Sequence, residues 1–471
     1  MQLTLSQRQV ELISQLEEMG SMESLKYAVR DKELASFQTK AVAYGIITQA
    51  CLFNLDTGLG KTLIAAAIIN ILHRMRPQLK WIFICQCSNL LTTYTKLRDA
   101  LYDCDVEFSD STENRILSTF FTRKAANADV IVLSYEAITC PAVETFLFKN
   151  RYVFKGVFLD ESQLISNLAS HTSRLISAVI DSCQYKYALS ATPLRINPDQ
   201  VVNQVYMIDR HMFDGDSMDT FMNRFKVWDD GRVVGYRDLE LLQRLLSPRV
   251  FSFTRKELGV KGNYTPIAEL VDTRGLYKDV PKYDQLRVIK ADVNGPAMQT
   301  LIDTVQYYTD NGMRGLIYAN RNVVKTALRD VLTARGFSTD ILDGRNTNTQ
   351  QKKDKVHKAF LAGEYQVLIT NITTGKDLPC DYIIFYEQTF DYKQMIGRGE
   401  RGLSGRDMEI VFILCSDTYE LQFFYNNVYQ RGVLLEELCH KDLSELKQVV
   451  KQIEERLGPD FLSLYQDPAD G

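Results

Sequence analysis

The sequence has no apolar run long enough to cross a membrane. Its longest such run, "LIAAAIINIL" from Leu63 to Leu72, is about half of what a membrane-spanning helix needs. The first residues, "MQLTLSQRQVEL", lack the basic segment followed by an apolar one that marks a signal peptide. The sequence also has no repeat of solenoid period and no low-complexity tract. We therefore expect no membrane partner and no repeat architecture.

Cysteine gives no metal or disulfide pattern. The nine cysteines are scattered, and their only close pair, "CQC", lacks the two-residue gap and the second pair of a zinc site. Several lie in apolar, strand-like runs, where a buried free thiol is the common state. We expect a reduced, cytoplasmic setting.

Charge of one sign is also not in excess. The net charge is −4, which argues neither for nor against a nucleic-acid partner, because an acidic protein can still contain a basic groove. An apolar content of 45% and a charged content of 24% are those of a soluble globular protein. A chain of 471 residues is too long for one ordinary core and suits two or three domains.

Short, continuously apolar runs alternate with longer amphipathic stretches, which is typical of parallel strands covered on both faces. This alternation occurs twice and predicts an α/β fold with two parallel-sheet domains in tandem. The predicted strands are "WIFICQ" (81–86), "DVIVLS" (129–134), "GVFLDE" (156–161), "YALSAT" (187–192), "GLIYAN" (315–320), "TDILDG" (339–344), "QVLITN" (366–371), "YIIFYE" (382–387) and "EIVFIL" (409–414).

We divide the chain into an N-terminal helical segment (1–30), a first lobe (31–205), a mainly helical insertion and linker (206–285), a second lobe (286–435), and a C-terminal helix and tail (436–471). The last helix shows a capping-box pattern, with Asp442 as the candidate N-cap and Glu445 three residues on, and it is expected to end at Gly458.

The stretch "NLDTGLGKT" has the end of a phosphate-binding loop but lacks its leading glycine, since Leu55 stands in that place. Gly58 and Gly60 let backbone amides turn towards phosphate oxygens. Lys61 is placed to reach the β- and γ-phosphates, and the hydroxyl of Thr62 to hold Mg²⁺. The alternative is an ordinary glycine-rich turn before a helix.

The stretch "VFLDES" places two adjacent carboxylates at the end of an apolar strand. Such a pair is costly unless it is used, because like charges repel and burial removes their hydration. Asp160 is suited to complete a Mg²⁺ shell, and Glu161 to orient or deprotonate the attacking water. A solvated strand end is the alternative.

Two further motifs follow in order, "LSATP" (189–193) and "QMIGRGER" (394–401). On a helix, Gln394, Arg398 and Arg401 share one face. Arginine suits the stabilisation of a transferring phosphoryl group, because it is always charged and binds with two donors. A solvated helix face is the alternative for an isolated pair of arginines.

These residues resemble superfamily 2 helicases and translocases, whose phosphate loop lacks the leading glycine and which have two RecA-like lobes. "LASFQTKAV" resembles the upstream glutamine motif, "CQCSNLL" motif Ia, "VLSYEAI" motif Ib, "LIYANR" motif IV and "LITNITTGKDLP" motif V. Within the superfamily, "GLGKT" and the regions 192–209, 247–260 and 340–360 resemble Swi/Snf-type DNA translocases. The chain departs from that pattern in "LDT" before the loop, in Gln163 and Ala191, and after Arg401.

The resemblance implies ATP and Mg²⁺ as cofactors, with catalysis by Lys61, Asp160, Glu161, Arg398 and Arg401 and with Thr62 and Asp160 at the metal. The implied nucleotide-binding residues are Gln38, Gly58, Leu59, Gly60, Lys61, Thr62, Gly375, Asp377 and Gln394. The implied nucleic-acid contacts are Ser88, Asn89, Ser134, Asn320, Arg321, Thr370, Asn371, Thr373 and Thr374. Ser190 and Thr192 are expected to couple the two sites.

The implied function is a monomeric, ATP-driven DNA translocase that acts on duplex or branched DNA, with RNA left open. Two alternatives stand beside it: a strand-separating DNA or RNA helicase, and a motor subunit that acts chiefly through a protein partner. The lysines at 352, 353, 355 and 358 offer either a basic patch or a solvated helix face.

Overall fold

The computed structural model of the protein describes residues 24–194, 197–213, 215, 217–258, 264–343, 350–371, 377–400, 407–439 and 442–458. The chain divides into two compact units, with the boundary after Leu258 and with residues 437–440 returning to the first unit. Each unit is built on its own parallel sheet flanked by helices. The prediction of an α/β fold with two parallel-sheet domains is confirmed.

The first unit contains a seven-stranded parallel sheet in the order β3-β4-β2-β5-β6-β1-β9. Its strands are β1 Ala50–Leu55, β2 Lys80–Cys85, β3 Val106–Phe108, β4 Val130–Ser134, β5 Phe154–Asp160, β6 Tyr185–Ser190 and β9 Val250–Phe253. The central strands are buried on both faces, and one face stacks Phe83, Phe158 and Tyr187 in a row. This two-sided burial explains why their sequences are continuously apolar.

Helices of the first unit cover both faces of this sheet. They are α1 Ser36–Thr48, α2 Lys61–Met75, α3 Leu90–Ala100, α4 Asn114–Phe120, α5 Tyr135–Ile138, α6 Pro141–Asn150, α7 His171–Ile180, α8 Asp199–Ile208, α9 Met218–Asn223 and α10 Leu239–Leu246. Helix α2 is fully buried from Ile64 to Ile69, because it packs against α1 and α3 and shares an apolar cluster with β1 and β2. The helix that follows the phosphate loop is therefore fixed by the core of the unit.

No strand was predicted between residues 206 and 285, whereas the structure has four strands among the described residues of this stretch. Strands β7 (Lys226–Asp229) and β8 (Arg232–Tyr236) form an antiparallel hairpin, in which Asp230 and Gly231 turn with positive φ angles of 42° and 74°. An Asp-Gly pair between short strands is the sequence signal for such a turn. The other two strands, β9 and β10 (Tyr264–Val271), join the first and the second sheet respectively.

The second unit contains a six-stranded parallel sheet in the order β10-β15-β14-β11-β13-β12. Its further strands are β11 Gly315–Tyr318, β12 Thr339–Leu342, β13 Val367–Thr370, β14 Tyr382–Phe385 and β15 Met408–Cys415. The helices from residue 282 onward are α11 Lys282–Ala291, α12 Pro296–Asp310, α13 Asn322–Ala334, α14 Gln350–Leu361, α15 Tyr392–Gly399, α16 Tyr419–Phe424, α17 Gln430–Cys439 and α18 Ser444–Leu457. Separate apolar clusters fill the two faces of this sheet.

The start of the last helix differs from its prediction. Leu443, not Asp442, stands at the N-cap position of α18, although the Asp442 carboxylate accepts a hydrogen bond from the Ser444 N–H at 3.1 Å. Glu445 does not close a capping box, because its carboxylate instead binds the Lys393 ammonium at 2.5 Å. The last helical residue is Leu457, and Gly458, where the helix was expected to end, is the C-cap residue with a φ of 91°. Among the described residues, no helix has the length and apolarity that a membrane span requires.

Candidate ATPase site

The phosphate loop joins the carboxyl end of β1 to the start of α2. Gly58 and Gly60 have φ angles of 83° and 80°, a left-handed conformation that costs glycine little and other residues more. A Cβ atom on Gly60 would lie 2.4 Å from Nε2 of Gln38, so a side chain there would displace this amide from the carbonyl of Leu59. The loop ends at the N-terminus of α2, where the positive end of the helix dipole favours an anion.

Lys61 is the first residue of α2. Its side chain curls back over the loop, and Nζ donates a hydrogen bond to the carbonyl oxygen of Leu55 at 3.1 Å. Leu59 is buried within the loop, and Thr62 is half-buried one residue into the helix. Lys61 and Thr62 thus lie in the first turn of the helix that directly follows the phosphate loop.

Gln38 supports the loop directly. Its Nε2 donates to the carbonyl oxygen of Leu59 at 3.0 Å, and its Oε1 accepts from the N–H of Ala35 at 2.9 Å. Its neighbour Phe37 stacks on Phe253, the last residue of β9, with ring centroids 4.5 Å apart. The glutamine motif is therefore packed against the phosphate loop on one side and the edge strand on the other.

Two residues before the glycines, Asn54 and Asp56, are hydrogen-bonded to β9 and to the chain just after it. The Asp56 carboxylate accepts a hydrogen bond from the N–H of Arg255 at 2.9 Å, and Nδ2 of Asn54 donates to the hydroxyl of Ser252 at 2.9 Å. Sequence reasoning recorded "LDT" only as a departure from the family pattern. It had no signal for these partners, which lie about 200 residues further along the chain.

Asp160 ends β5, and Glu161 follows it in a left-handed conformation with a φ of 51°. Such a φ is uncommon outside glycine and clusters at functional sites. Burial, and then the charge of Glu161, raise the pKa of Asp160 to about 7, and the nearby ammonium of Lys61 opposes this rise. The structure therefore brings the two carboxylates and the loop lysine into one site.

A chain of hydrogen bonds connects Glu161 to the "SATP" motif. Nε2 of Gln163 donates to Oε2 of Glu161 at 2.7 Å, and Oε1 of Gln163 accepts from the hydroxyl of Ser190 at 2.6 Å. The same hydroxyl accepts from the N–H of Thr192 at 3.0 Å. We call Glu161, Gln163, Ser190 and Thr192 the relay. Sequence reasoning treated Gln163 as a departure and missed its position in the relay.

In the second unit, Gln394 and Arg398 both lie on α15, as predicted, and Arg401 lies outside the described residues. Gln394 is buried, whereas Arg398 is half-buried. The carbonyl oxygen of Arg398 accepts from the N–H of Leu378 at 3.0 Å, which joins the end of α15 to the chain after Asp377. Asp377 is exposed, and Gly375 lies outside the described residues.

The predicted nucleic-acid residues of the first unit follow β2 and β4, which are neighbours in the sheet. Ser88 and Asn89 are half-buried in a short 3₁₀ turn after β2. Ser134 is buried, and its hydroxyl caps α5 by accepting from the N–H of Ala137 at 3.1 Å. The side chain of Ser134 is thus engaged within the unit.

The corresponding residues of the second unit follow β11 and β13, which are also neighbours. Asn320 is exposed, Arg321 is paired with Glu387, and Thr370 and Asn371 are buried. Thr373 and Thr374 lie outside the described residues. The lysines at 352, 353, 355 and 358 all lie on α14, where 352, 355 and 358 are exposed.

The fold and the site define the class of this protein: it is a P-loop ATPase with tandem α/β units. Residues 7–295 match the family model of the SNF2-related domain, and the chain belongs to this family. It is therefore an ATP hydrolase of superfamily 2 with RecA-like lobes, an ATP-driven motor of the kind that acts on DNA.

Among solved structures, the chain is similar to the SWI2/SNF2 ATPase core of Sulfolobus solfataricus in complex with dsDNA. The two share 14% sequence identity at a TM-score of 0.43, over 90% of this chain and 96% of that one. No curated protein matches the sequence significantly.

Proposed function

We propose that this protein is an ATP-driven translocase that moves along duplex or branched DNA without separating its strands. The observation that supports the proposal best is the relay. It gives the carboxylate beside the phosphate loop a continuous hydrogen-bonded path to the "SATP" motif, so a change at either end affects the other. A motor needs such a connection, because hydrolysis must be linked to movement.

In this proposal, Lys61 and the backbone of Gly58, Leu59 and Gly60 hold the phosphates, and Glu161 orients the attacking water. The donors fit Mg²⁺, because Thr62 and Asp160 offer hard oxygen ligands and a buried carboxylate beside a second one favours a cation. Bound Mg²⁺ would neutralise charge on the phosphates. Gln38 acts by holding the carbonyl of Leu59 in place.

The second unit supplies the remaining proposed nucleotide contacts, which are Gly375, Asp377, Gln394, Arg398 and Arg401. The two arginines are proposed to stabilise the transferring phosphoryl group, which is the role that an always-charged guanidinium fits. Ser190 and Thr192 are proposed to couple the nucleotide site to the DNA-binding site.

Contacts to DNA are proposed to go mainly to phosphates, through the loops that follow β2, β4, β11 and β13. Phosphate contacts fix position on a strand without reading its sequence, which suits a translocase. In the first unit Ser88 and Asn89 offer polar groups, whereas Ser134 acts by capping α5. Asn320 is the exposed amide of the second unit.

The test is the ATPase rate against single-stranded DNA, duplex DNA, branched DNA and RNA, with Glu161→Gln as the inactive control. We expect the largest stimulation by duplex or branched DNA. Triplex displacement without forked-duplex unwinding supports translocation, and unwinding of the fork supports a helicase instead. A rate that no nucleic acid changes but a partner protein raises would contradict the proposal and favour the motor-subunit alternative.

A further inference from the structure

Two buried carboxylates flank the proposed DNA loops of the second unit. The loops follow β11 and β13, which lie side by side in the strand order β14-β11-β13-β12. The outer strands of this set, β14 and β12, are each followed by an acidic residue, Glu387 and Asp343 respectively. Each carboxylate therefore lies at the same edge of the sheet as the loop beside it.

Glu387 holds the loop after β11. Its side chain is 3% exposed, and its Oε2 accepts hydrogen bonds from the N–H groups of Asn320 at 2.6 Å and Arg321 at 2.8 Å. Its Oε1 pairs with the guanidinium of Arg321. Because Arg321 is the N-cap residue of α13, the carboxylate occupies the positive end of that helix. One acidic group thus fixes both residues that were predicted to contact DNA here.

Asp343 holds the start of the loop after β13. It is fully buried, and its Oδ1 accepts a hydrogen bond from Nδ2 of Asn371 at 3.1 Å. Its Oδ2 pairs with the ammonium of Lys325, which is itself 1% exposed. Lys325 lies four residues after Arg321, so the two cations come from successive turns of α13.

Burial of these charges is costly, and a well-packed apolar pair often replaces a buried ion pair without loss of stability. Stability alone therefore does not account for four charged groups at this edge. What the two carboxylates share is contact with the residues that follow β11 and β13: Glu387 binds Asn320 and Arg321, and Asp343 binds Asn371. Both carboxylates accept hydrogen bonds that a flexible loop would otherwise give to water.

We propose that Glu387 and Asp343 are positioning residues, which hold Asn320, Arg321 and Asn371 in one arrangement that is ready to bind the DNA backbone. The affinity for DNA then rises because the ordering of these three residues is completed before DNA binds. The assignment rests on the proposed function, since it concerns how the same motor binds DNA.

The test compares Glu387→Gln and Asp343→Asn with a matched control, Glu420→Gln. Glu420 is also a buried carboxylate paired with a buried lysine, at 3.0 Å from Nζ of Lys290, and it accepts its other hydrogen bonds from the N–H of Cys415 and from Nε2 of Gln388, not from Asn320, Arg321 or Asn371. The ATPase rate is measured against duplex DNA concentration, and thermal unfolding is measured for each variant.

We expect each test variant to raise the DNA concentration for half-maximal stimulation about tenfold, the effect of losing one charge-assisted hydrogen bond. The rate at saturating DNA should change by less than about twofold, because the chemical step is untouched. The test variants and the control should all unfold at a lower temperature than the wild type, but the control should keep the wild-type half-maximal DNA concentration. If the test variants acted only by loosening the packing of the unit, the control would show the same rise in this concentration.

A double variant, Lys325→Met with Asp343→Leu, serves where Asp343→Asn does not fold. It removes the buried charges together and leaves Asn371 without its acceptor, and it should show the same rise. If DNA stimulates the wild type but the half-maximal concentration is unchanged in the test variants, or rises equally in Glu420→Gln, the assignment is wrong and the proposed function stands. If DNA does not stimulate the wild type, the proposed function fails and the assignment fails with it.

Discussion

Replacement of Gln163 by alanine is the sharpest test of how the site works. The Gln163 side chain is buried and lies between two functional groups, donating to Glu161 at 2.7 Å and accepting from Ser190 at 2.6 Å. Alanine removes both bonds and leaves the Glu161 carboxylate without this donor. The free-energy cost is about 1.5–3 kcal/mol for a hydrogen bond to a charged group.

If that cost falls on the transition state, kcat decreases by about 10- to 150-fold, because about 1.4 kcal/mol corresponds to a factor of ten. The KM for ATP should change little, since Gln163 does not belong to the phosphate loop. Gln163→His should recover much of the rate, because a neutral imidazole has one donor and one acceptor nitrogen and so matches both partners.

The assay is steady-state ATP hydrolysis at saturating DNA, with nucleotide binding measured separately by fluorescence. Asn203→Ala is the matched control, because Nδ2 of Asn203 also makes a side-chain hydrogen bond in the first unit, to the carbonyl of Ser166 at 2.8 Å, but outside the relay. A wild-type kcat in Gln163→Ala, or an equal decrease in Asn203→Ala, would refute the role of the relay.

Four further changes test the ATPase site. Lys61→Ala and Glu161→Gln should abolish hydrolysis while circular dichroism stays native, and turnover in either would remove that residue from the site. Gly60→Ala should weaken ATP binding measured by calorimetry, because a φ of 80° is strained for alanine and the added methyl group would displace the Gln38 amide that holds the loop. Arg398→Ala should keep nucleotide binding nearly intact while hydrolysis falls by orders of magnitude, and an equal loss of both would exclude the proposed role.

Two of the strands that carry the site, β5 and β6, were predictable because both faces of each are buried. "GVFLDE" and "YALSAT" became β5 and β6, and their polar ends became the carboxylate pair and the serine of the relay. The predictions rested on a local property, continuous hydrophobicity, which parallel strands require.

Strand β1 was not predicted although it leads into the phosphate loop. Its sequence "ACLFNL" contains Asn54, which is polar and buried in the sheet. The residue is tolerated because its amide reaches Ser252 on β9. Hydrophobic periodicity in the sequence carries no information on a contact between residues so distant in the chain. The same holds for the contacts of Asp56 with Arg255 and of Glu387 with Asn320.

The absent glycine of the phosphate loop has a structural explanation. Leu55 is the last residue of β1, paired with Phe253 in the sheet and fully buried. The strand therefore continues through the position where other loops begin to turn, and a positive φ is needed only later, at Gly58 and Gly60. A glycine at 55 would remove a buried side chain and gain no conformation that the loop uses. The hydrogen bond from Lys61 goes to the backbone carbonyl of Leu55, so it does not depend on which side chain stands at this position.

Leu55→Gly should accordingly lower the free energy of unfolding, measured in urea, by about 3 kcal/mol or more, and it should leave the ATPase rate of the folded protein unchanged. A selective loss of ATPase activity without loss of stability would show that the leucine side chain itself shapes the loop.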